Sequence, residues 1–195
     1  MPGLHDYRRF LAELQAELSR IEDLLAQSGS SGTPCRQGCS DCCLPISVLP
    51  IEAHAIMSAV TRPLTRPDSA TAPPGAPNDP GGGAPNGPGT AAGPVTCGFL
   101  QQDLRCEIYP SRPFLCRTRG FPILHLNGDG EWERDACAKR SFPDDPPGSP
   151  GLRLETWNAR LFHLNEAFCA ARGISPARCD LNGLSADYAV PPSRA

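Results

Sequence analysis

Four of the ten cysteines in this 195-residue chain fall within nine residues, as Cys35-Arg-Gln-Gly-Cys39-Ser-Asp-Cys42-Cys43. No other feature constrains the fold as tightly. Thiolates that share a zinc ion converge to about 2.3 Å from it, and ligands two or three residues apart on one turn do so at small entropic cost. Cys39 is the hub. Cys35 lies four residues before it, and Cys42 and Cys43 three and four after, all on one face if the turn is helical. Cys42 and Cys43, being adjacent, diverge by about 100° on a helix. Two metals, or one spare thiol, follow from that divergence.

The other cysteines stand at 97, 106, 116, 137, 169 and 179. In an exported domain this number would read as a disulfide framework. The opening MPGLHDYRRFLAELQ carries charges throughout, and no eighteen apolar residues run together. The expectation is therefore a cytoplasmic protein with reduced thiols and no membrane span. A formal charge of −3 offers phosphate backbones no broad attraction, which argues against nucleic acid. Metal binding or thiol chemistry becomes the leading hypothesis.

The predicted architecture is α+β: a small metal-stapled domain with short β-hairpins and flanking helices, interrupted by a disordered insertion rich in Pro and Gly. Residues 1–32 form an amphipathic helix and linker, with Leu4, Tyr7, Leu11, Leu14, Leu18, Ile21 and Leu25 spaced three and four apart. The cysteine-cluster domain spans 33–142. Within it a short helix starts at Pro50, as Pro favours the first turn. From Pro63 to Pro94, 32 residues hold 9 Pro and 7 Gly and too few large apolar side chains to offset ordering entropy. Hairpins are expected over 97–109 and, around Asn127-Gly128-Asp129-Gly130, over 121–133, with a helical turn at 110–119 between them. Residues 143–195 make a linker, a helix marked by Leu154, Trp157, Leu161, Leu164 and Phe168 and closed by Gly173, and a frayed tail packing on the domain.

Cys97, Cys106, Cys116 and Cys137 are loosely spaced, a weak signal alone because free cysteine is a common small buried residue. Beside the first four they read as the second half of one ligand set. Here the sequence resembles the YkgJ-type cysteine-cluster family, proteins with a proposed zinc- or iron-chelating domain. The resemblance rests on Cys35-x3-Cys39-x2-Cys42-Cys43, on the helix start Leu49-Pro50-Ile51-Glu52, and on Cys97-x-Phe99-Leu100 followed by Cys106-x-Ile108-Tyr109-x2-Arg112-Pro113-x2-Cys116-Arg117. It covers roughly residues 33–140. It implies that Cys35, Cys39, Cys42, Cys43, Cys97, Cys106, Cys116 and Cys137 hold zinc or an iron-sulfur cluster, and it implies no known reaction.

A four-thiolate zinc site carries two net negative charges, which guanidinium groups can offset by donating to the sulfurs. Arg112, Arg117 and Arg119 are placed for this, the first two as cofactor-binding residues. Tyr109 reads as packing, His54 as a helix-surface residue, and Cys169 and Cys179 as unliganded thiols. The spacing Cys35-x3-Cys39-x2-Cys42 also matches the radical S-adenosylmethionine motif, and the cysteine cluster has a family-level relation to flagellin lysine methylases, which makes an iron-sulfur enzyme one alternative. The chain is too short for the barrel that usually follows such a motif. Reversible disulfide chemistry at Cys42-Cys43 is a second alternative. A scaffold that offers the stripe of residues 4–25 to a protein partner is a third. No nucleophile, base and orienting group stand together, so no substrate follows.

Overall fold

Leucine and phenylalanine at three- and four-residue intervals leave one outcome for the start of the chain, a helix with a single apolar face. A computed structural model describes residues 3–27, 39–60, 97–137 and 150–184. Helix α1 runs Leu4–Gln27 and buries Leu4, Tyr7, Phe10, Leu14, Leu18, Ile21 and Leu25. Its partners are α4 (Leu154–Ala170), α2 (Pro50–Ala59) and strand β4 (Leu152–Arg153). The apolar stripe is thus spent on the chain's own core, and the scaffold alternative that offered it to a protein partner loses that surface. Phe10 lies at its centre, edge-on to Trp157 at 5.4 Å and tilted against Phe114 at 5.9 Å. Arg160 of α4 covers the rim, over Trp157 and paired with Glu13 of α1.

The predicted mixture of helix and short strand is present. Strands β2 (Ile123–Leu126) and β3 (Trp132–Asp135) form the expected antiparallel hairpin, with Leu126 opposite Trp132. Asn127 closes it by accepting the Asp129 and Glu131 N–H groups, and Gly130 takes the positive φ of 79° that the turn requires. Strand β4 adds to β2 in parallel, Ile123 facing Leu152, and passes straight into α4. Gly173, at φ 63°, ends that helix as expected.

A second sheet has two strands, β1 (Ser47–Val48) and β5 (Cys179–Asp180), with Val48 opposite Cys179. It brings the far end of the chain beside the first cysteine segment. Sequence patterning missed it because two residues carry no period. The hairpin expected over 97–109 is reduced to one bridge, Leu100 with Cys106, around a turn in which Leu104 adopts φ 63°. That turn lacks the Asn-Gly or Asp-Gly pair that would extend the ladder. A 3-10 turn at Tyr109–Ser111 and the short helix α3 (Phe114–Thr118) follow, as predicted.

Two apolar clusters result among the described residues. The larger joins α1 and α4 to Leu49, Ile51, Phe114, Phe121 and Leu152. The smaller consists of Val48, Ala53, Ile56, Phe99, Ile108, Leu181 and Leu184, with Cys97, Cys106 and Cys179 packed against it. Helix α2 contributes to both. No helix among the described residues is long and apolar enough to cross a membrane. Cys35, the expected insertion at 63–94, nearly all of the Pro-rich break at 143–150 and the tail after 184 lie outside the described residues.

Candidate metal centre

The cysteine face begins with a tight turn in which the Cys43 N–H donates to the Ser40 carbonyl at 2.9 Å, setting Cys39, Cys42 and Cys43 on one bend. The Cys43 carbonyl then accepts the Cys97 N–H at 2.9 Å. This bond joins the two cysteine groups across the sequence between them. From Cys97 the chain folds back, the Glu107 N–H donating to the Phe99 carbonyl at 2.8 Å, so Cys97 and Cys106 lie on neighbouring arms of one loop. Cys116 comes from α3, which follows Pro113.

Each arm repeats one local device. The Phe99 N–H donates to the Cys97 sulfur and the Ile108 N–H to the Cys106 sulfur, in both cases from two residues further on. A backbone donor aimed at sulfur favours the thiolate. Burial works the other way and is the larger effect. It pushes Cys106 up to about 11, helped by the charges of Cys97 and Cys43 and opposed by the Ile108 N–H and Arg112. It pushes Cys116 up to about 12, with Cys97, Cys106 and Cys43 adding to the rise and Arg112 lowering it. Cys97 is raised for the same first reason, and by Asp180. Cys106 and Cys116 thus lie within reach of the charge of Cys43, Cys97 and Arg112.

Arg112 lies over the Tyr109 ring at 3.7 Å and donates to the Tyr109 carbonyl at 3.1 Å. Tyr109 is a packing residue, as expected, and what it packs is the guanidinium. Arg117 donates to the carbonyls of Arg112 (2.7 Å) and Pro110 (2.6 Å), so it fixes the loop that presents Arg112, while its charge still reaches Cys116.

Cys39, Cys42 and Cys137 are half-buried as well, Cys137 just beyond β3. His54 lies at 5.4 Å from the Phe168 ring, and burial pushes its imidazole down. Cys169 is buried in the larger core and points its thiol at Asn165. Cys179 directs its thiol to the Val48 carbonyl at 3.6 Å.

Two polar groups that hold the face together were not singled out from the sequence. Asn182 accepts the Gly98 N–H at 2.8 Å, anchoring the end of the chain to the Cys97 arm. Glu52, 2% exposed, accepts from Leu49 at 2.9 Å and from Phe114 at 2.8 Å. A glutamate three residues into a helix is a capping signal, which accounts for the first bond and gives no hint of the second. Nothing near Asn182 in the sequence marks its role.

Among the described residues no three Cys, His, Asp or Glu side chains stand close enough to enclose an ion. The donor chemistry nevertheless fits a soft metal: Cys97, Cys106 and Cys116 on the loop that a backbone bond ties to Cys43, N–H groups on two of the sulfurs, and the Arg112 guanidinium to offset thiolate charge. A family model described as "CxxCxxCC: Putative zinc- or iron-chelating domain" matches residues 34–138. No curated protein and no solved structure matches the chain.

Proposed function

Because the chain belongs to the CxxCxxCC family, we propose that it is a metal-binding module in which Cys43, Cys97, Cys106 and Cys116 form the central ligand set for zinc or iron. The observation that carries this reading is the Cys97 N–H to Cys43 carbonyl bond, which joins the two cysteine groups of the matched domain. Cys35, Cys39, Cys42 and Cys137 supply the remaining thiolates of the eight, for a second ion or to complete an iron-sulfur cluster. A bound metal would replace the thiol protons and draw the two cysteine segments together.

Arg112 offsets the negative charge of the thiolates, and Arg117 keeps Arg112 in place through its two carbonyl bonds. The Phe99 and Ile108 N–H groups do the same work from the backbone. No reaction is assigned.

The test is metal analysis and absorption spectroscopy on the full chain purified anaerobically without chelator. More than one metal equivalent is expected, since eight thiolates exceed the need of one tetrahedral ion. A visible charge-transfer band identifies iron-sulfur, and a colourless zinc-loaded protein identifies zinc. Reduced protein with no bound metal of either kind would falsify the reading.

A further inference from the structure

A fully buried carboxylate in a small domain is costly unless both oxygens are engaged, and Glu52 is such a group. One oxygen takes the Leu49 N–H, three residues away on its own helix. The other takes the Phe114 N–H, 62 residues away. A helix start needs only the first bond, and a solvent-exposed glutamate could make it. The second bond is what the burial serves.

Its two ends are significant. Leu49 follows β1, six residues after Cys43, and Phe114 lies two residues before Cys116. We propose that Glu52 is a positioning residue for the metal site, its carboxylate setting the separation between the Cys42-Cys43 segment and Cys116. This rests on the metal-binding reading above. Tyr7 of α1 and Arg178 beside β5 lie within reach of the carboxylate's charge, so the clamp sits where four segments meet. An apolar residue would leave both N–H groups unsatisfied, and glutamine offers one acceptor where two are needed.

The experiment measures alkylation of individual cysteines by N-ethylmaleimide, read by peptide mass spectrometry, in zinc-loaded full-length wild type, Glu52→Gln and Glu52→Asp. Aspartate retains the charge, and its shorter arm can keep the local bond to Leu49 while losing the reach to Phe114. In wild type, zinc is expected to protect Cys97, Cys106 and Cys116 together. In both variants Cys116 should be labelled about tenfold faster or more, with Cys97 and Cys106 still protected and zinc affinity lower by a similar factor. The Asp variant keeps the test decisive if the Gln variant fails to fold.

Unchanged Cys116 protection in the variants would overturn the role of Glu52 while leaving the metal site standing. Release of all three cysteines in step would overturn it equally, because that is general loss of structure. Absence of protection in zinc-loaded wild type would overturn the metal-binding reading and this inference with it.

Discussion

The two apolar clusters of this protein are built to different rules. Around Phe10, Leu14, Trp157 and Leu161, two long helices bury complete side-chain faces, and aromatic rings meet edge to face. Around Phe99 and Ile108, seven buried residues pack on two-residue strands, one bridged loop and half-buried thiols. Among the described residues, sixteen are buried in the first cluster and seven in the second, so burial supports the helical half more strongly than the cysteine face. The helical half thus serves as scaffold, and on the proposed function the cysteine face is the part that a metal would complete.

Metal removal is the strongest way to break this contrast. Structural zinc contributes on the order of 10 kcal/mol or more to small metal-dependent folds. Chelation should therefore abolish amide-exchange protection over 97–108 and around Val48 while α1 and α4 keep theirs. Equal loss in both halves would mean that they fold as one unit. Unchanged exchange would mean that the cysteines are not structural ligands.

Next in size is a cut into the scaffold. Phe10→Ala removes the ring that touches Tyr7, Phe114 and Trp157, and a buried Phe→Ala change costs about 3–5 kcal/mol. Denaturant unfolding should show that loss in metal-loaded and metal-free protein alike. A loss confined to the metal-loaded form would show that Phe10 acts through α3 on Cys116, and the contrast between the halves would fail.

The same division governs how much could be read in advance. Helices α1 and α4 were legible because a repeated apolar period leaves little choice; Gly173 marked the end of α4, and Asn127-Gly128-Asp129-Gly130 marked the β2–β3 turn, by backbone chemistry. The cysteines of the face were legible by type and number. Their arrangement was not. It depends on the Cys97 to Cys43 backbone bond, the Asn182 to Gly98 latch and the Glu52 to Phe114 clamp, each linking residues more than fifty positions apart. Pairing β1 with β5 is of the same kind, since nothing in Ser47-Val48 points to Cys179-Asp180.

Acidity sharpens the contrast further. Burial raises Cys106 and Cys116 from an ordinary value of 9.0 to about 11 and about 12 in the metal-free fold. A raised folded value means that the neutral thiols stabilise the fold fully below pH 9, and that this contribution is lost as pH climbs through 11 and 12. Metal binding runs in the opposite sense, because each ligand must shed its proton. Apparent metal affinity should climb about tenfold per pH unit for every thiol proton displaced, until the free thiols ionise. A pH-independent affinity would mean that these thiols are not the ligands.

The smallest effect is the one that separates cysteines by location. Cys169 is 2% exposed, yet its neighbours belong to the scaffold, and its thiol donates to Asn165, whose amide in turn ties Ile51 to the Pro176 carbonyl. Serine keeps a donor at that position, so Cys169→Ser should retain full metal content and lose no more than about 1–2 kcal/mol for a polar swap in a buried site. Cys106→Ser makes the same atomic change on the other face, where a hydroxyl is a poor soft-metal ligand, and metal occupancy should fall. Paired metal analysis and melting curves of the two variants decide the matter. If Cys169→Ser loses metal while Cys106→Ser keeps it, the ligand set has been placed on the wrong half of the molecule.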